Sequence, residues 1–319
     1  MIATATPGVV VAPHASDAIA AAWNARPAPD LVYADEDRLD GDGVRYAPYF
    51  KPGFSPDLLR ATAYFGRLLA FAPDLARRAG GLGAATPHDL ALRLSERATH
   101  VVHLADVLHH VPLELGTALP TEPSAVRAAL ARAGEDADVV PLGQGRLRLR
   151  YAIRGEPLVS VIIPTRDRAA LLSRALDAVR IFGGWPRFEL LVVDNGSVEP
   201  DTARLLSSLQ APHRVLSRPG PFDFAALNND AAREARGEFL LFLNNDVEGI
   251  EPGWIPALLE HAQRPEVGAV GAKLLFPDRT IQHAGVALGM GGFAGHPFQG
   301  LAADERVPGG MLGVVRNCS

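Results

Sequence analysis

The chain has 319 residues, 48% of them hydrophobic and 21% charged, which is the composition of a globular protein with room for about two domains. A net charge of −5 supplies no overall basic surface, so nucleic acid is not the expected main partner. A single cysteine, Cys318, excludes a disulfide framework and points to a reducing cytoplasm, and no apolar run approaches the length of a membrane span. The N-terminal MIATATPGVVVAPHA lacks a basic leader and its apolar run is short, so it does not read as a signal peptide. Peripheral membrane association, at the inner face of the cell membrane, is compatible with this composition.

Ala15 to Arg26 has helical character, with Ser16 as the expected N-cap and Pro27 as the stop. Asp30 to Ala34 reads as a short strand that leads into an acidic cluster, Asp35-Glu36-Asp37, and a turn-rich stretch. An acidic turn of this kind is ordinarily solvated rather than metal-binding. Pro56 to Phe71 reads as helix then strand, His88 to Arg97 as helix, and Thr99 to Val107 as strand, closed by His109-His110. His103, His109 and His110 have no acidic or cysteine partners at ligand spacing, which argues against zinc. A helix is expected from about Ser124 to Gly134, and then a half-exposed strand, Arg146 to Ile153, whose Arg146, Arg148 and Arg150 face solvent.

From Pro157 the pattern becomes regular. Strands are expected at Val159 to Ile163, Glu189 to Val193, Arg214 to Leu216 and Phe239 to Leu243, with helices at Ala169 to Ile181, Asp201 to Leu209 and Phe224 to Arg236. Such alternation implies right-handed crossovers and a parallel sheet. Polar clusters end three of the strands, at Thr165 to Asp167, Asp194 to Ser197 and Asn244 to Asp246. A parallel sheet gathers them on its carboxyl edge, where open α/β sheets bind ligands. The run Phe239 to Leu243, inside Arg236 to Ile250, has the unbroken apolar character of a strand buried on both faces. A carboxylate at its end can hold a hard cation, and the cation a diphosphate. An ordinary polar turn at a strand end reads the same way.

Ala21 to Asp40 can be laid over Leu259 to Asp278, with Arg26-Pro27 on Arg264-Pro265, at low identity and an offset of about one domain. Gly289 to Gly295 is glycine-rich, but it does not follow a strand and open a helix as a dinucleotide loop does.

Five spaced motifs in order carry a resemblance: PLVSVIIPTRDR, ELLVVDNGS, RPGPFDFAALNNDAAREARGEFLLFLNNDVE, EVGAVGAKLLFPDRTIQHAG and the terminal RNCS. Through them the chain resembles the family-two glycosyltransferases of GT-A fold, in particular the tandem enzymes of bacterial O-antigen and rhamnan-type polysaccharide assembly. DLVYADEDRLDGDG, FKPGFSPDLL, Gly80-Gly81, DLALRLSE and HVVHLADVLHH resemble the back part of another such domain. The implied fold is α/β and Rossmann-like, with a mainly parallel sheet and a partial second copy at the N-terminus. The implied organisation is an acceptor-side part at 1–113, a connecting segment at 114–156 and a donor-binding front part at 157–319.

The resemblance implies a hexosyltransferase-like enzyme. It would move a sugar from a nucleoside diphosphate sugar to a glycan or lipid-linked glycan, by inversion and with a divalent metal, Mg²⁺ or Mn²⁺. Pro164, Thr165 and Arg166 would approach the nucleotide. Asp194 stands where the base or ribose is held, with Asn195 beside it as a further donor-binding candidate, Asn229 near the donor, and Asn244-Asn245-Asp246 at the metal motif. The first acidic position of that motif is Asn244 here, so Asp246 is the expected metal ligand. His283 and the 289–295 loop fall near the donor cleft, although a hydrogen-bonded sheet-edge role suits His283 equally. The general base is expected in a stretch beyond Ser319. In the first copy Pro87 takes its place, and Asp89 is a weak candidate better suited to the start of a helix. The alternative is a catalytically incomplete nucleotide-sugar-binding module. A nucleotidyltransferase would need a glycine-rich loop and a basic residue after the first strand, and PTRDR lacks that loop.

Overall fold

The computed structural model describes residues 1–83, 86–116, 119–249, 251–305 and 307–318. Ile250 and Ser319, which close two of the stretches singled out above, lie outside the described residues. Two units result, Met1–Tyr151 with Ala272–Ser319, and Ala152–Gly271.

The first unit opens with β1 (Ile2–Ala5), β2 (Val10–Val11), α1 (Ala15–Asn24), β3 (Leu31–Leu39) and β4 (Arg45–Tyr49). It continues with α2 (Pro56–Ala61), β5 (Leu68–Phe71), α3 (Pro73–Arg78), α4 (Pro87–Ser95), β6 (Val101–Pro112) and α5 (Pro123–Ala133), then the hairpin of β7 (Ala137–Gly143) and β8 (Arg146–Tyr151). Its six-stranded sheet has the order β1-β5-β3-β6-β2, with β4 on β3. β3 and β6 run parallel, while β5 and β4 run antiparallel to β3. Strand alternation builds a core on each face. Leu31, Tyr33, Leu69 and Phe71 point to one core, Val32, Ala34, Leu68 and Ala70 to the other, where Ile19 of α1 packs.

Three expectations change here. Ser16 is inside α1, and His14 takes the N-cap position without a side-chain bond. β3 does not stop at Ala34: it runs nine residues, straight through Asp35-Glu36-Asp37. Pairing with β6 and β4 satisfies that backbone, and buried partners satisfy the side chains, so the acids need no solvated turn. The segment 114–156, expected as a connection, contributes Val126, Leu130, Leu147 and Leu149 to the first unit's main core, and the first unit takes it up to Tyr151.

The second unit is the regular one. It contains β9 (Val159–Thr165), α6 (Ala169–Arg180), β10 (Phe188–Asp194), α7 (Pro200–Ser207), β11 (Arg214–Ser217), α8 (Phe224–Glu234), β12 (Phe239–Phe242) and α9 (Trp254–Ala262). The order is β11-β10-β9-β12 and every pairing is parallel. Leu172 and Leu176 of α6, Leu206 of α7 and Ile255 of α9 cover one face, and Leu227 and Ala231 of α8 cover the other. This is the parallel α/β organisation of the GT-A class. β12 departs from expectation. It is an edge strand with Phe239, Leu241 and Leu243 packed on one core, while Leu240 and Phe242 are 43% and 51% exposed. An unbroken apolar run thus covers a strand buried on one face only, because α8 packs on β9 and β10.

The chain then returns to the first unit. β13 (Leu274–Leu275) pairs with β14 (Ile281–His283), and β15 (Ala287–Leu288) with β16 (Ala294–Gly295). The glycine-rich 289–295 stretch is therefore the turn and second strand of a short hairpin. In the aligned segments, a helix precedes Arg-Pro both times, but a nine-residue strand follows one and two-residue β13 the other.

Candidate functional site

Parallel register brings the polar strand ends of the second unit together. Asp194 of β10 is level with Thr165 of β9 and with Ser217 of β11. β12 ends at Phe242, opposite Ile162, and Leu243 N–H donates to the Ile162 carbonyl at 3.0 Å, so Asn244 to Asp246 leave at the same edge. Hydrogen bonds then tie the three ends to one another. Asn245 Nδ2 donates to Thr165 Oγ1 at 3.0 Å, and Asn195 N–H donates to the Thr165 carbonyl at 2.9 Å.

Asp167 is the centre of the loop that follows β9. Its Oδ1 accepts from the backbone N–H of Val198 at 2.7 Å and of Glu199 at 2.8 Å, and its own N–H donates to Ser197 Oγ at 2.8 Å. Those two backbone donors hold its carboxyl below the ordinary range. Asp167 and Arg168 both have left-handed backbone, φ 56° and 62°, which is costly for residues with a Cβ. Arg168 N–H donates to Glu199 Oε2 at 3.0 Å. The strained turn is thus fixed from the neighbouring loop, where Gly196, φ 83°, makes the matching turn.

The expected site residues divide by exposure. Pro164 and Thr165 are buried, so the β9 end offers backbone and the exposed Arg166 side chain. Asp194 is half-buried, with Oδ1 accepting from Ser197 N–H at 2.9 Å. Asn195 turns inward: Nδ2 donates to the Arg218 carbonyl at 2.7 Å, so its side chain braces the β11 end. Asn229 is exposed on α8, whereas neighbouring Asn228 is buried, donates to the Phe224 carbonyl at 2.8 Å and leaves Oδ1 unpartnered. Asn244 and Asp246 are exposed, and among the described residues no hydrogen bond or ion pair engages the Asp246 carboxylate. No group of three or more His, Cys, Asp or Glu among the described residues could hold a metal by itself. One free carboxylate beside two amides fits a hard cation that completes its shell with phosphate oxygens and water.

The start of β12 is pinned at the opposite edge of the sheet. Buried Glu189 accepts from Ser160 Oγ at 2.7 Å and from Arg236 N–H at 2.7 Å, and Gly237 N–H donates to Ser160 Oγ at 2.8 Å. Burial pushes Glu189 up, but these donors and Arg214 outweigh it and hold the carboxyl low. A Cβ on Gly237 would lie 2.5 Å from Ser160 N, so only glycine lets the strands approach.

In the first unit Asp89 occupies the first turn of α4, N-capped by Thr86, and its Oδ2 accepts from Arg93 Nε at 2.9 Å. His283 faces His296, with Nδ1 atoms 3.1 Å apart. The three histidines without apparent partners do have them: His103 with Asp35 at 2.7 Å, His109 with Glu36 at 3.0 Å and His110 with Asp37 at 2.5 Å. Lys51 Nζ donates to Glu36 at 3.0 Å and Arg45 Nε to Asp37 at 2.6 Å. Burial pushes Glu36 up, yet Lys51 and His109 bring it down to about 2. Burial holds His109 below its usual value despite Glu36. No local spacing could reveal these pairs, because the parallel β3–β6 register brings together residues about seventy positions apart.

Comparison with known proteins places a family match mostly on the second unit. Residues 160–290 match the family described as Glycosyl transferase family 2. The chain is 46% identical over 303 residues to the O-antigen biosynthesis protein RfbC of Myxococcus xanthus, an alignment covering 90% of this chain and 24% of that protein. It is 38% identical over 294 residues to the uncharacterized protein y4gI of Sinorhizobium fredii, covering 86% of this chain and 32% of that one. A solved mannosyltransferase, PcManGT from Pyrobaculum calidifontis in complex with GDP-Man and Mn²⁺, aligns at 23% identity and TM-score 0.36 over 48% of this chain and 42% of its own. The chain thus spans about a quarter to a third of the curated relatives it matches. Residues 160–290 are thus the part of the chain that is similar to glycosyl transferase family 2.

Proposed function

We propose that the chain is the donor-binding part of a metal-dependent, inverting glycosyltransferase acting in bacterial surface polysaccharide assembly. The observation that carries this reading is the carboxyl edge of the second unit, where three strand ends converge on Asp246, exposed and unpaired among the described residues. The similarity to a protein named for O-antigen biosynthesis supports the choice of polysaccharide. Asp194, through its remaining oxygen, takes a hydrogen bond from the base or ribose. Backbone at Pro164 to Arg166 lines the nucleotide, and Arg166 adds positive charge beside the phosphates. Asp246, with Asn244 and Asn245 beside it, holds the Mg²⁺ or Mn²⁺. Bound there, the ion neutralises charge on the departing nucleoside diphosphate. The acceptor is a glycan or lipid-linked glycan. Among the described residues no helix is long and apolar enough to cross a membrane, so any contact of these residues with a lipid-linked acceptor would be made at the surface.

A second reading, nucleotide-sugar binding without turnover, is favoured by Asp89, the base candidate found in sequence, being engaged by Arg93. Calorimetry with UDP, GDP and dTDP, with and without Mg²⁺, tests the donor site. Metal-dependent binding of one nucleotide, lost in Asp246→Ala, is expected, and binding that survives this change rejects the metal assignment. Transfer or hydrolysis of the matching sugar nucleotide then separates enzyme from binding module.

A further inference from the structure

A cavity of about 770 Å³ lies in the first unit, in residues outside the 160–290 family match. Its wall includes Glu36 and Asp37 of β3, Tyr46 and Tyr49 of β4, Tyr64, and Arg146 at the start of β8. The size falls within the roughly 300–1,000 Å³ of small-molecule sites.

The chemistry of the wall restricts the occupant. Glu36, Asp37, Asp304 and Glu305 set carboxylates against the guanidinium groups of Arg38 and Arg146. With Lys51 on Glu36 and Arg45 on Asp37, these acids and bases balance in formal charge, so the wall offers no net field to hold an ionic ligand such as a nucleoside diphosphate. A wholly apolar ligand would strip water from charged groups and return nothing. A neutral polyhydroxylated molecule suits all of it. Its hydroxyls donate to the exposed carboxylate of Asp304 and accept from guanidinium, and its C–H faces lie on aromatic rings. Tyr46 is 40% exposed, so its ring is available to such a face. Two further wall residues hold unused hydrogen-bonding capacity: Tyr49 Oη and Arg146 Nε are buried without a partner among the described residues. Buried polar atoms are ordinarily satisfied. The wall is also firmly built, since Lys51 and His109 hold Glu36, and Arg45 and His110 hold Asp37. Gly66 leaves room for the Lys51–Glu36 pair, because a Cβ there would lie 2.3 Å from both side chains.

We propose that this cavity is a binding site for a neutral saccharide. Only the identification of that saccharide as the acceptor glycan rests on the transferase reading. The test titrates the full chain with maltotriose, mannotriose and chitotriose, followed by ligand-observed NMR, with UDP as the anionic control. At least one trisaccharide is expected to bind. Tyr46→Ala should weaken it roughly tenfold, the scale of losing one aromatic anchor, while Tyr46→Phe retains it. Asp246→Ala should leave trisaccharide binding unchanged, so a failed donor site and a failed saccharide site give different results. Absence of binding by all three sugars, binding indifferent to Tyr46→Ala, or UDP binding that Tyr46→Ala abolishes would each overturn the proposal.

Discussion

Asp35-Glu36-Asp37 and Asn244-Asn245-Asp246 are both short acidic or amide runs on a strand or at its end, and the structure treats them in opposite ways. In the first, Asp35 and Asp37 are 2% and 4% exposed, and each acid has a histidine, with Lys51 and Arg45 added. In the second, Asp246 is exposed and, among the described residues, unengaged. A buried charge without a partner is too costly to persist, so the first run had to acquire partners and its carboxylates are committed. The exposed run pays nothing of the kind, and its carboxylate stays open to solvent. The more charged motif is therefore the framework, and the less charged one is the candidate metal site.

The largest effect should come from breaking the committed set. Lys51→Met leaves Glu36 buried beside His109 without its cation and should destabilise the first unit by about 3–5 kcal/mol, measured by urea unfolding. Adding Glu36→Gln should recover part of that loss, since the two changes share one interaction. Acid is the next probe. Burial holds His88 and His109 below 6.5, so the native state resists their protonation and stability falls as pH drops below 6.5. Glu36, depressed from 4.5 to about 2, adds a second loss as pH falls through that interval. Hydrogen exchange of β3 amides should follow both stages, with a smaller first stage in β10, whose neighbour His213 is only partly buried. In the second unit Gly237→Ala forces a Cβ against β9 and should cost about 1–3 kcal/mol by the same urea assay. Asp167→Ala should weaken nucleotide binding more than it shifts unfolding, and Asp167→Asn, which keeps an acceptor for Val198 and Glu199, should restore much of the affinity. Asp246→Ala should change stability by less than about 0.5 kcal/mol while removing metal-dependent nucleotide binding.

Much of the second unit is legible in its sequence because its information is local. Apolar runs, helical spacing at Leu172 and Leu176, and polar residues after Thr165 and Asp194 give strand, helix and edge directly. The order of strands is less local, and with it the one-sided burial of Phe239–Phe242. The first unit hides more. Nothing near Asp35 says that His103 will pair with it, and the acidic cluster imitates a turn because acids in a strand are unusual until their partners are known. Asp167 is missed for another reason. Two successive non-glycine residues at positive φ leave no sequence trace, since the loop after Asp194 enforces them. Asn195 and Asn228 show that a polar residue in the right motif can still spend its side chain on the backbone.

The contact of Gly237 with Ser160 has a consequence at the far end of its strand. A strand side chain has only two directions, so a slip of one residue would exchange them along the whole of β12. Leu241 and Leu243 would turn outward and Leu240 and Phe242 inward, and the chain would enter the turn at Asn245–Asp246 one residue out of step. The hydrogen bond from Gly237 and the missing Cβ behind it therefore set the phase of the strand. The strand that leads to the proposed metal ligand Asp246 is thus kept in step by a glycine nine positions earlier, on the opposite edge of the sheet.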